Sequence, residues 1–121
     1  MKVKGHNSPV HKIDLWSDAA DCNLVVTSGV GTITIIDMRS NSPVFSEGVH
    51  SRAINLCKVN ESNMLVTGSA DQTVKILDAY MGFQVRGEMR ATGEILCGTM
   101  AHNKVAVGCS DGNLLVYDTD I

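Results

Sequence analysis

The sequence predicts an all-β protein built from three copies of one structural unit. Short runs rich in Val, Ile, Leu and Thr close on Asp37, Asp78 and Asp118, which lie 41 and then 40 residues apart. Runs of this composition, bounded by Gly, Asp, Asn and Ser, are typical of β-strands, and no helical spacing of apolar residues is sustained. A repeat of this length determines the architecture of a whole chain. The units cover about residues 1–41, 42–82 and 83–121 of a single domain.

Each unit is expected to contain a β-hairpin. Counting back from the closing aspartates aligns GVGTITIID, ADQTVKILD and SDGNLLVYD, which are preceded by NLVVTS, NMLVTG and KVAVGC. The hairpins predicted from this alignment span about residues 24–36, 64–77 and 104–117, with turn-forming residues between their strands. Because apolar residues occupy the strands almost continuously, neighbouring sheets are expected to cover both faces.

Composition restricts the function classes. The chain has 121 residues, 44% of them hydrophobic and only 4% aromatic, so its core is aliphatic. A net charge of -3 provides no basic stripe for phosphates, which argues against nucleic acid and anionic membranes as partners. The start MKVKGHNSPV lacks the apolar run of a signal peptide, so we expect a cytoplasmic protein, with the nucleus as the alternative.

Neither the cysteines nor the histidines form a pattern typical of a metal site. No two of the four cysteines are spaced as C-x-x-C, and Cys57 and Cys97 fall at the same offset in successive units, as small buried residues would. His11 and His102 are not repeated at ligand spacing. No metal and no cofactor are therefore expected.

The residues that open and close the units resemble WD-repeat β-propeller sequences. Gly-His at residues 5–6 and Val-His at residues 49–50 open two units, and IID, ILD and VYD close the three. The resemblance covers the whole chain and implies an all-β arc of three four-stranded antiparallel blades. In this family a repeat contributes the outer strand of one blade and the inner three strands of the next. The sequence departs from the family at the Trp before the closing Asp, where Ile36, Leu77 and Tyr117 stand.

The resemblance also implies a structural hydrogen-bond network in the second unit, formed by His50, Thr67 and Asp71. The first unit has His6 but carries Val30 at the turn position. The third has Asp111 but carries Arg90 where the histidine is expected. The first and third blades should therefore be less tightly fastened than the second.

Three repeats form only part of a ring, since propellers close with four to eight blades. The chain opens with a clipped outer strand around KVKG and stops after the inner strand LLVYDT. Two interpretations stay open. Two copies join into a six-bladed dimer, or the chain is a piece of a longer propeller. Either way the expected partners include a second copy or the missing blades, and a stable monomer is not expected.

No catalytic residues are predicted. Asp71 and Asp111 each sit at a hairpin turn of their own unit, where aspartate bonds to the local backbone. A hydrolase would need a polar cluster that recurs across the units at the central channel, and none is found in the sequence. The chain is therefore expected not to be an enzyme, although a propeller hydrolase is kept as a distant alternative.

The resemblance places partner binding on the loops that lead from outer to inner strands. In this chain those loops contain Asn7, Ser8, Arg52, Arg90 and Glu94. The function expected from the family is a non-catalytic scaffold or adaptor that binds other proteins or peptides. The alternative is a substrate-recognition subunit of a ubiquitin-ligase-type complex, because two arginines on neighbouring blades suit an acidic or phosphorylated peptide.

Overall fold

The computed structural model describes residues 8–17, 22–28, 30–101 and 103–119. Within these ranges the chain forms β-strands joined by turns, and its one helical element is a single 3-10 turn at Ala79–Met81. The strands are β1 (Val10–Ser17), β2 (Cys22–Ser28), β3 (Thr32–Asp37), β4 (Ser42–Gly48), β5 (Ile54–Val59), β6 (Met64–Ser69), β7 (Thr73–Asp78), β8 (Gln84–Arg90), β9 (Ile95–Ala101), β10 (Lys104–Cys109) and β11 (Leu114–Asp118).

The strands form three antiparallel sheets, here called blades 1, 2 and 3. Blade 1 has the order β1-β2-β3-β4, blade 2 has β5-β6-β7-β8, and blade 3 has β9-β10-β11. The predicted all-β arc of three blades is confirmed. Four strands per blade is correct for blades 1 and 2, whereas blade 3 has three strands in the described part of the chain. The fourth strand of the other blades follows the closing Asp, and no described strand follows Asp118.

The three predicted hairpins are confirmed as β2–β3, β6–β7 and β10–β11. At the same place in each turn the backbone is left-handed, at Gly31, Gln72 and Gly112, with φ of 90°, 71° and 87°. Gly31 also passes so close to the next loop that a Cβ there would lie 2.0 Å from the carbonyl oxygen of His50. A side chain at Gly31 would therefore push the hairpin away from the loop that begins the next blade.

Most of the core lies in two clusters at the junctions that join the blades. Ile33 and Ile35 of blade 1 pack with four residues of blade 2, which are Ile54, Cys57, Leu65 and Leu77. The second cluster joins blade 2 to blade 3 and contains Leu56, Val66, Val74, Ile76, Ile95, Val105, Val107 and Cys109. Because successive strand residues point to opposite faces, blade 2 contributes apolar side chains to both junctions. Its continuous apolar runs follow from burial on both faces, as the sequence indicates.

Candidate interaction surfaces

The second unit contains a buried hydrogen-bond network at the top of blade 2. The Nε2 atom of His50 lies 2.7 Å from the Thr67 hydroxyl, and its Nδ1 atom lies 3.0 Å from Asp71 Oδ2. The Thr73 hydroxyl lies 3.0 Å from His50 Nδ1 and donates to Asp71 Oδ1. The structure therefore brings together the three residues His50, Thr67 and Asp71. Thr73 is a fourth member that the sequence analysis did not include.

Burial and hydrogen bonding set the charge states in this network. Burial lowers the pKa of His50, although the nearby Asp71 carboxylate acts in the opposite direction. Burial alone would raise the pKa of Asp71, but hydrogen bonds from Thr73 and the backbone N–H of Ser51, together with His50, hold it below its usual value. A neutral imidazole can donate to one partner and accept from the other, so both ring nitrogens are satisfied. The network joins the β6–β7 turn to the loop before β5.

The corresponding turn of blade 3 has a different and more exposed arrangement. Asn113 donates from its side-chain amide to Asp111 Oδ2, at 3.0 Å, and to the Thr92 hydroxyl, at 3.1 Å. Hydrogen bonds from Thr92 and Asn113 lower the pKa of Asp111. In blade 1 the turn position is the exposed Val30, and His6 lies outside the described residues.

The pairing of the strands corrects the position assigned to Arg90. Ile54 pairs with Ser69, and Ile95 pairs with Cys109 at the same place in blade 3. His50 lies four residues before Ile54, and Ala91 lies four residues before Ile95, so Ala91 is the counterpart of His50. The prediction that Arg90 occupies this position was wrong by one residue, because the β9–β10 turn is one residue shorter than the β5–β6 turn. Arg90 is instead the exposed last residue of the outer strand β8.

The same shift corrects the interpretation of the cysteines. Cys97 pairs with Gly108 as Leu56 pairs with Gly68, so Cys97 is the counterpart of Leu56 and not of Cys57. Cys57 is buried, and burial raises the pKa of its thiol to about 12, with Asp14 adding to the effect. Cys97 is exposed. The expectation that both thiols are buried is therefore wrong for Cys97.

Of the predicted rim residues, the structure brings together Arg52 and Glu94. The Arg52 guanidinium pairs with the Glu94 carboxylate across the junction of blades 2 and 3, and also donates to the Ala70 carbonyl at 3.4 Å. Ser8 lies just before β1 and is half-buried. Asn7 lies outside the described residues. The carbonyl of Arg90 accepts a hydrogen bond from the Tyr117 hydroxyl at 3.1 Å.

An aromatic cluster fastens blades 1 and 2 at the end opposite His50. The Trp16 ring meets Phe83 edge-on at 5.7 Å, Phe45 lies 4.8 Å from Phe83, and Trp16 Nε1 donates to Asn63 Oδ1 at 2.6 Å. Phe83 has a left-handed backbone with φ of 60°, which is unusual for a bulky residue. A cleft of about 320 Å³ lies beside it, lined by Phe45, Val49, Lys75, Leu77 and Val85 among others. Apolar packing accounts for this strained aromatic.

One apolar surface lies on the side of blade 3 that faces away from blade 2. We call it the last end face, and it consists of Cys97, Ala106, Leu114 and Val116. Leu114 is 83% exposed and Val116 is 68% exposed. Together with glycines and Thr99 these residues line a shallow depression of about 390 Å³. Large exposed aliphatic side chains grouped in this way mark protein contact surfaces.

The inner strand β1 of blade 1 exposes apolar residues on the side that faces away from blade 2, although Thr34 and Ile36 of β3 on that side are buried. Asp14 accepts a hydrogen bond from the Val59 backbone and Trp16 contacts Asn63, so alternate residues of β1 face blade 2. Ile13 and Leu15 therefore point the other way, and each is 59% exposed. With Val10 they form what we call the first end face. The exposure of these residues was not predicted from the sequence.

Two kinds of site are not found among the described residues. In these ranges no group of three or more His, Cys, Asp or Glu side chains is placed to hold a metal ion. No helix in the same part of the chain is long and apolar enough to cross a membrane.

Comparison with known proteins identifies the fold. No family model and no curated protein sequence matches the chain. Among solved structures, the computationally designed Ika8 protein is similar with a TM-score of 0.80 and 23% identity, and a chain of the mitotic checkpoint complex is similar with a TM-score of 0.81 and 18% identity. Both matches cover 96% of this chain but only 35% and 36% of those chains. This likeness shows a β-propeller fold, and the chain spans about a third of either neighbour.

Proposed function

We propose that the chain is a non-catalytic scaffold of the WD-repeat type, which acts in the cytoplasm or nucleus by organising other proteins on propeller blades. The observation that carries the proposal is the pair of apolar end faces. Water contacts Leu114, Val116, Ile13 and Leu15 over most of their surface. On the other faces of the same strands, partly buried side chains pack against the two core clusters. Removing such side chains from water contributes about 25 cal/mol for each Å² to association, and the entropic cost of association is subtracted from this gain.

Protein surfaces that suit the end faces are those of other blades, supplied by a second copy or by further repeats. The top of the arc then stays available for partners, and there the Arg52–Glu94 pair spans two blades. The partner side chains that reach this pair are expected to be polar. Because the pair is exposed, its own contribution to stability is about 0 to 1 kcal/mol, so a partner can compete for either group.

The narrower role of binding acidic or phosphorylated peptides has less support. It requires the Arg52 guanidinium to leave the Glu94 carboxylate and bind the peptide instead. Arg90 lies on the outer strand β8 and not in the loop before β9. A peptide of this kind would therefore meet one arginine that already has a carboxylate partner. The general scaffold role does not depend on these arginines.

Light scattering and binding of an apolar-surface dye together test the scaffold proposal. We expect the purified chain to give a mass above the 13.0 kDa of one copy at micromolar concentration. Dye binding should increase on dilution, as the end faces become exposed. A monodisperse 13.0 kDa species that binds no dye at any concentration would contradict the proposal, because the end faces would then need no protein cover.

A further inference from the structure

We propose that the cleft between blades 1 and 2 binds the C-terminal residue of a partner protein, with its carboxylate at Lys75 and an apolar side chain against the aromatic rings. The cleft is the space of about 320 Å³ beside Phe83. The choice of a protein as the ligand rests on the scaffold proposal. The choice of a carboxylate beside an apolar group rests on the residues of the cleft.

The cleft lies on the outer side of the junction between blades 1 and 2. Its walls come from the outer strand β4, from β7, and from residues 82–85, where β8 begins. Phe45 and Leu77, which line it, pack in the apolar cluster that joins these two blades. Because the two blades pack directly on each other, a further blade cannot stand between them and fill the cleft. Both walls are therefore present within the described residues.

Lys75 places a charge where the other two blades have an uncharged residue. Thr34 of blade 1 and Leu115 of blade 3 occupy the same place in the strand register as Lys75 of blade 2. Alternate residues of a strand share a face, so Lys75 lies on the same face of β7 as Leu77, which is buried in the junction. Only 21% of the Lys75 side chain is exposed. Removing an ammonium group from water is unfavourable unless it is paired, so apolar packing does not account for this lysine.

The ammonium group of Lys75 has donors available for a ligand. It donates to the carbonyl of Val49, which also lines the cleft. Its distance to Glu88 Oε1 is 3.7 Å, which is too long for a hydrogen bond, and the Glu88 side chain is 51% exposed. Because an ammonium group has three donors, a ligand carboxylate can bind Lys75 without displacing the Val49 carbonyl.

The other walls favour an apolar residue with a single carboxylate. Phe45, Phe83 and Val85 line the cleft, and Val85 is 48% exposed. The ring contacts of Phe83 with Trp16 and Phe45 hold this wall in place without a ligand. The carboxylate of Glu47, which also lines the cleft, repels a second carboxylate and can accept a hydrogen bond from an amide N–H.

A C-terminal residue combines the three groups that the cleft can bind. Its α-carboxylate suits Lys75, its amide N–H suits Glu47, and its aliphatic or aromatic side chain suits the rings of Phe45 and Phe83. An internal apolar residue of a peptide lacks the carboxylate. The volume of about 320 Å³ is at the small end of the range for ligand sites, as expected for a single residue.

NMR titration of the purified chain with N-acetyl-leucine tests the site. The backbone amide signals of Val49 and Phe83 should shift and saturate. N-acetyl-leucinamide lacks the carboxylate and N-acetyl-glycine lacks the apolar side chain, so each should bind about tenfold more weakly or worse. No saturable shift with N-acetyl-leucine would overturn the site, and equal binding of the acid and the amide would overturn the role of Lys75.

Two substitutions at the cleft should act in opposite directions. Lys75→Leu introduces the residue that blade 3 has at this place, and it should weaken binding of N-acetyl-leucine about tenfold or more. Glu88→Gln removes a carboxylate that competes for Lys75, so it should tighten binding. Lys104→Leu is the matched control, because Lys104 is 59% exposed on β10 and lies outside the cleft.

Circular dichroism confirms that each variant is folded, and Glu88→Gln alone decides the matter if Lys75→Leu does not fold. Equal losses for Lys75→Leu and Lys104→Leu would contradict the proposal. Weaker binding by Glu88→Gln would contradict it as well, because Lys75 would then need Glu88 to hold the ligand.

A short acetylated peptide that ends in leucine separates a protein partner from a small acid. It should bind at least as tightly as N-acetyl-leucine, and the same peptide with an amidated end should bind about tenfold more weakly or worse. A cleft that binds N-acetyl-leucine but rejects the peptide would show that the ligand is a small acid and that the proposed partner is wrong. A chain that assembles without binding the peptide keeps the scaffold role and loses only the cleft. The mass and dye binding of the chain test the scaffold role independently of these ligands.

Discussion

Blades 2 and 3 are built from closely similar strands, yet their residues have different surroundings. Val74 and Ile76 of blade 2 are fully buried, whereas their counterparts Leu114 and Val116 are the most exposed large aliphatic residues described in the chain. The turn of blade 2 is fastened by the buried His50, while the turn of blade 3 has only an exposed cluster around Asp111. The same repeat pattern thus gives a buried strand in one blade and an exposed apolar face in the next.

The difference shows that burial in a propeller depends on the neighbouring blade more than on the residue itself. An exposed aliphatic side chain such as Leu114 or Val116 contributes hydrophobic stabilisation only when another surface covers it. The comparison predicts that matched substitutions in the two blades have unequal effects.

The largest difference in the free energy of unfolding is expected between Ile76→Ala and Val116→Ala. The first removes buried atoms and leaves a cavity, which should lower the free energy of unfolding by about 2 to 5 kcal/mol. The second should change it by less than about 0.5 kcal/mol, because the side chain is already in water. Urea unfolding, at a concentration where light scattering gives the mass of one chain, makes the measurement. Equal losses would mean that blade 3 is covered on both sides within one copy.

A smaller difference in the free energy of unfolding is expected between substitutions in the β6–β7 turn of blade 2 and in the β10–β11 turn of blade 3. Replacing His50 or Asp71 by Ala leaves a buried polar partner unsatisfied, which should cost about 1 to 3 kcal/mol of unfolding free energy. Asp111→Ala changes only an exposed turn and should be much less costly. His6→Ala should also cost less than His50→Ala, since Val30 offers no acceptor. A greater loss for His6 or Asp111 in urea unfolding would show that blade 2 is not the better fastened blade.

The network should also make stability depend on pH. Because burial lowers the pKa of His50 in the folded state, the unfolded chain takes up this proton first as the pH falls below about 6.5. The stabilisation is therefore complete above that pH and decreases as the pH falls towards the folded pKa. Asp71 and Glu88 oppose the lowering of the His50 pKa, and Lys75 favours it.

Unfolding at pH 7.5 and pH 5.5 (about one unit either side of the ordinary His pKa) tests this dependence. The wild-type chain should lose more stability between the two pH values than His50→Asn, which lacks the titrating group. A wild-type chain that gains stability relative to the variant at low pH would mean that the charged imidazole is the preferred form.

The smallest contrast concerns the reactivity of two thiols on the inner strands, Cys57 on β5 and Cys97 on β9. At a concentration where light scattering gives the mass of one chain, Cys97 should react with iodoacetamide, whereas Cys57 should not, because burial raises the pKa of the Cys57 thiol to about 12. Peptide mass spectrometry after labelling assigns the product. Equal labelling of both in the native state would show that the junction between blades 1 and 2 opens readily.

The sequence predicted the hairpins because these depend on local patterns that recur, and its resemblance to WD-repeat sequences implied the blades and the His50 network. Arg90 and Cys97 were assigned to the wrong positions because gapless alignment from the closing aspartates does not detect one residue fewer in the β9–β10 turn. The exposure of Leu114 and Val116 could not be predicted from their own apolar character, which is the same as that of buried Val74 and Ile76. Phe83 was missed because its left-handed backbone is retained by contacts with Trp16 and Phe45, which are distant in sequence.

Amide hydrogen exchange of β7 and β11 tests the central claim most directly. Among the described residues no strand pairs with the outer edge of β11, whereas β8 covers that edge of β7. At low protein concentration the β7 amides should exchange slowly and the β11 amides that bond to β10 quickly, because an edge strand with an uncovered face opens readily. Raising the concentration should slow exchange in β11 and leave β7 unchanged. Slow exchange in β11 at every concentration would contradict the account, since blade 3 would then be complete within a single chain.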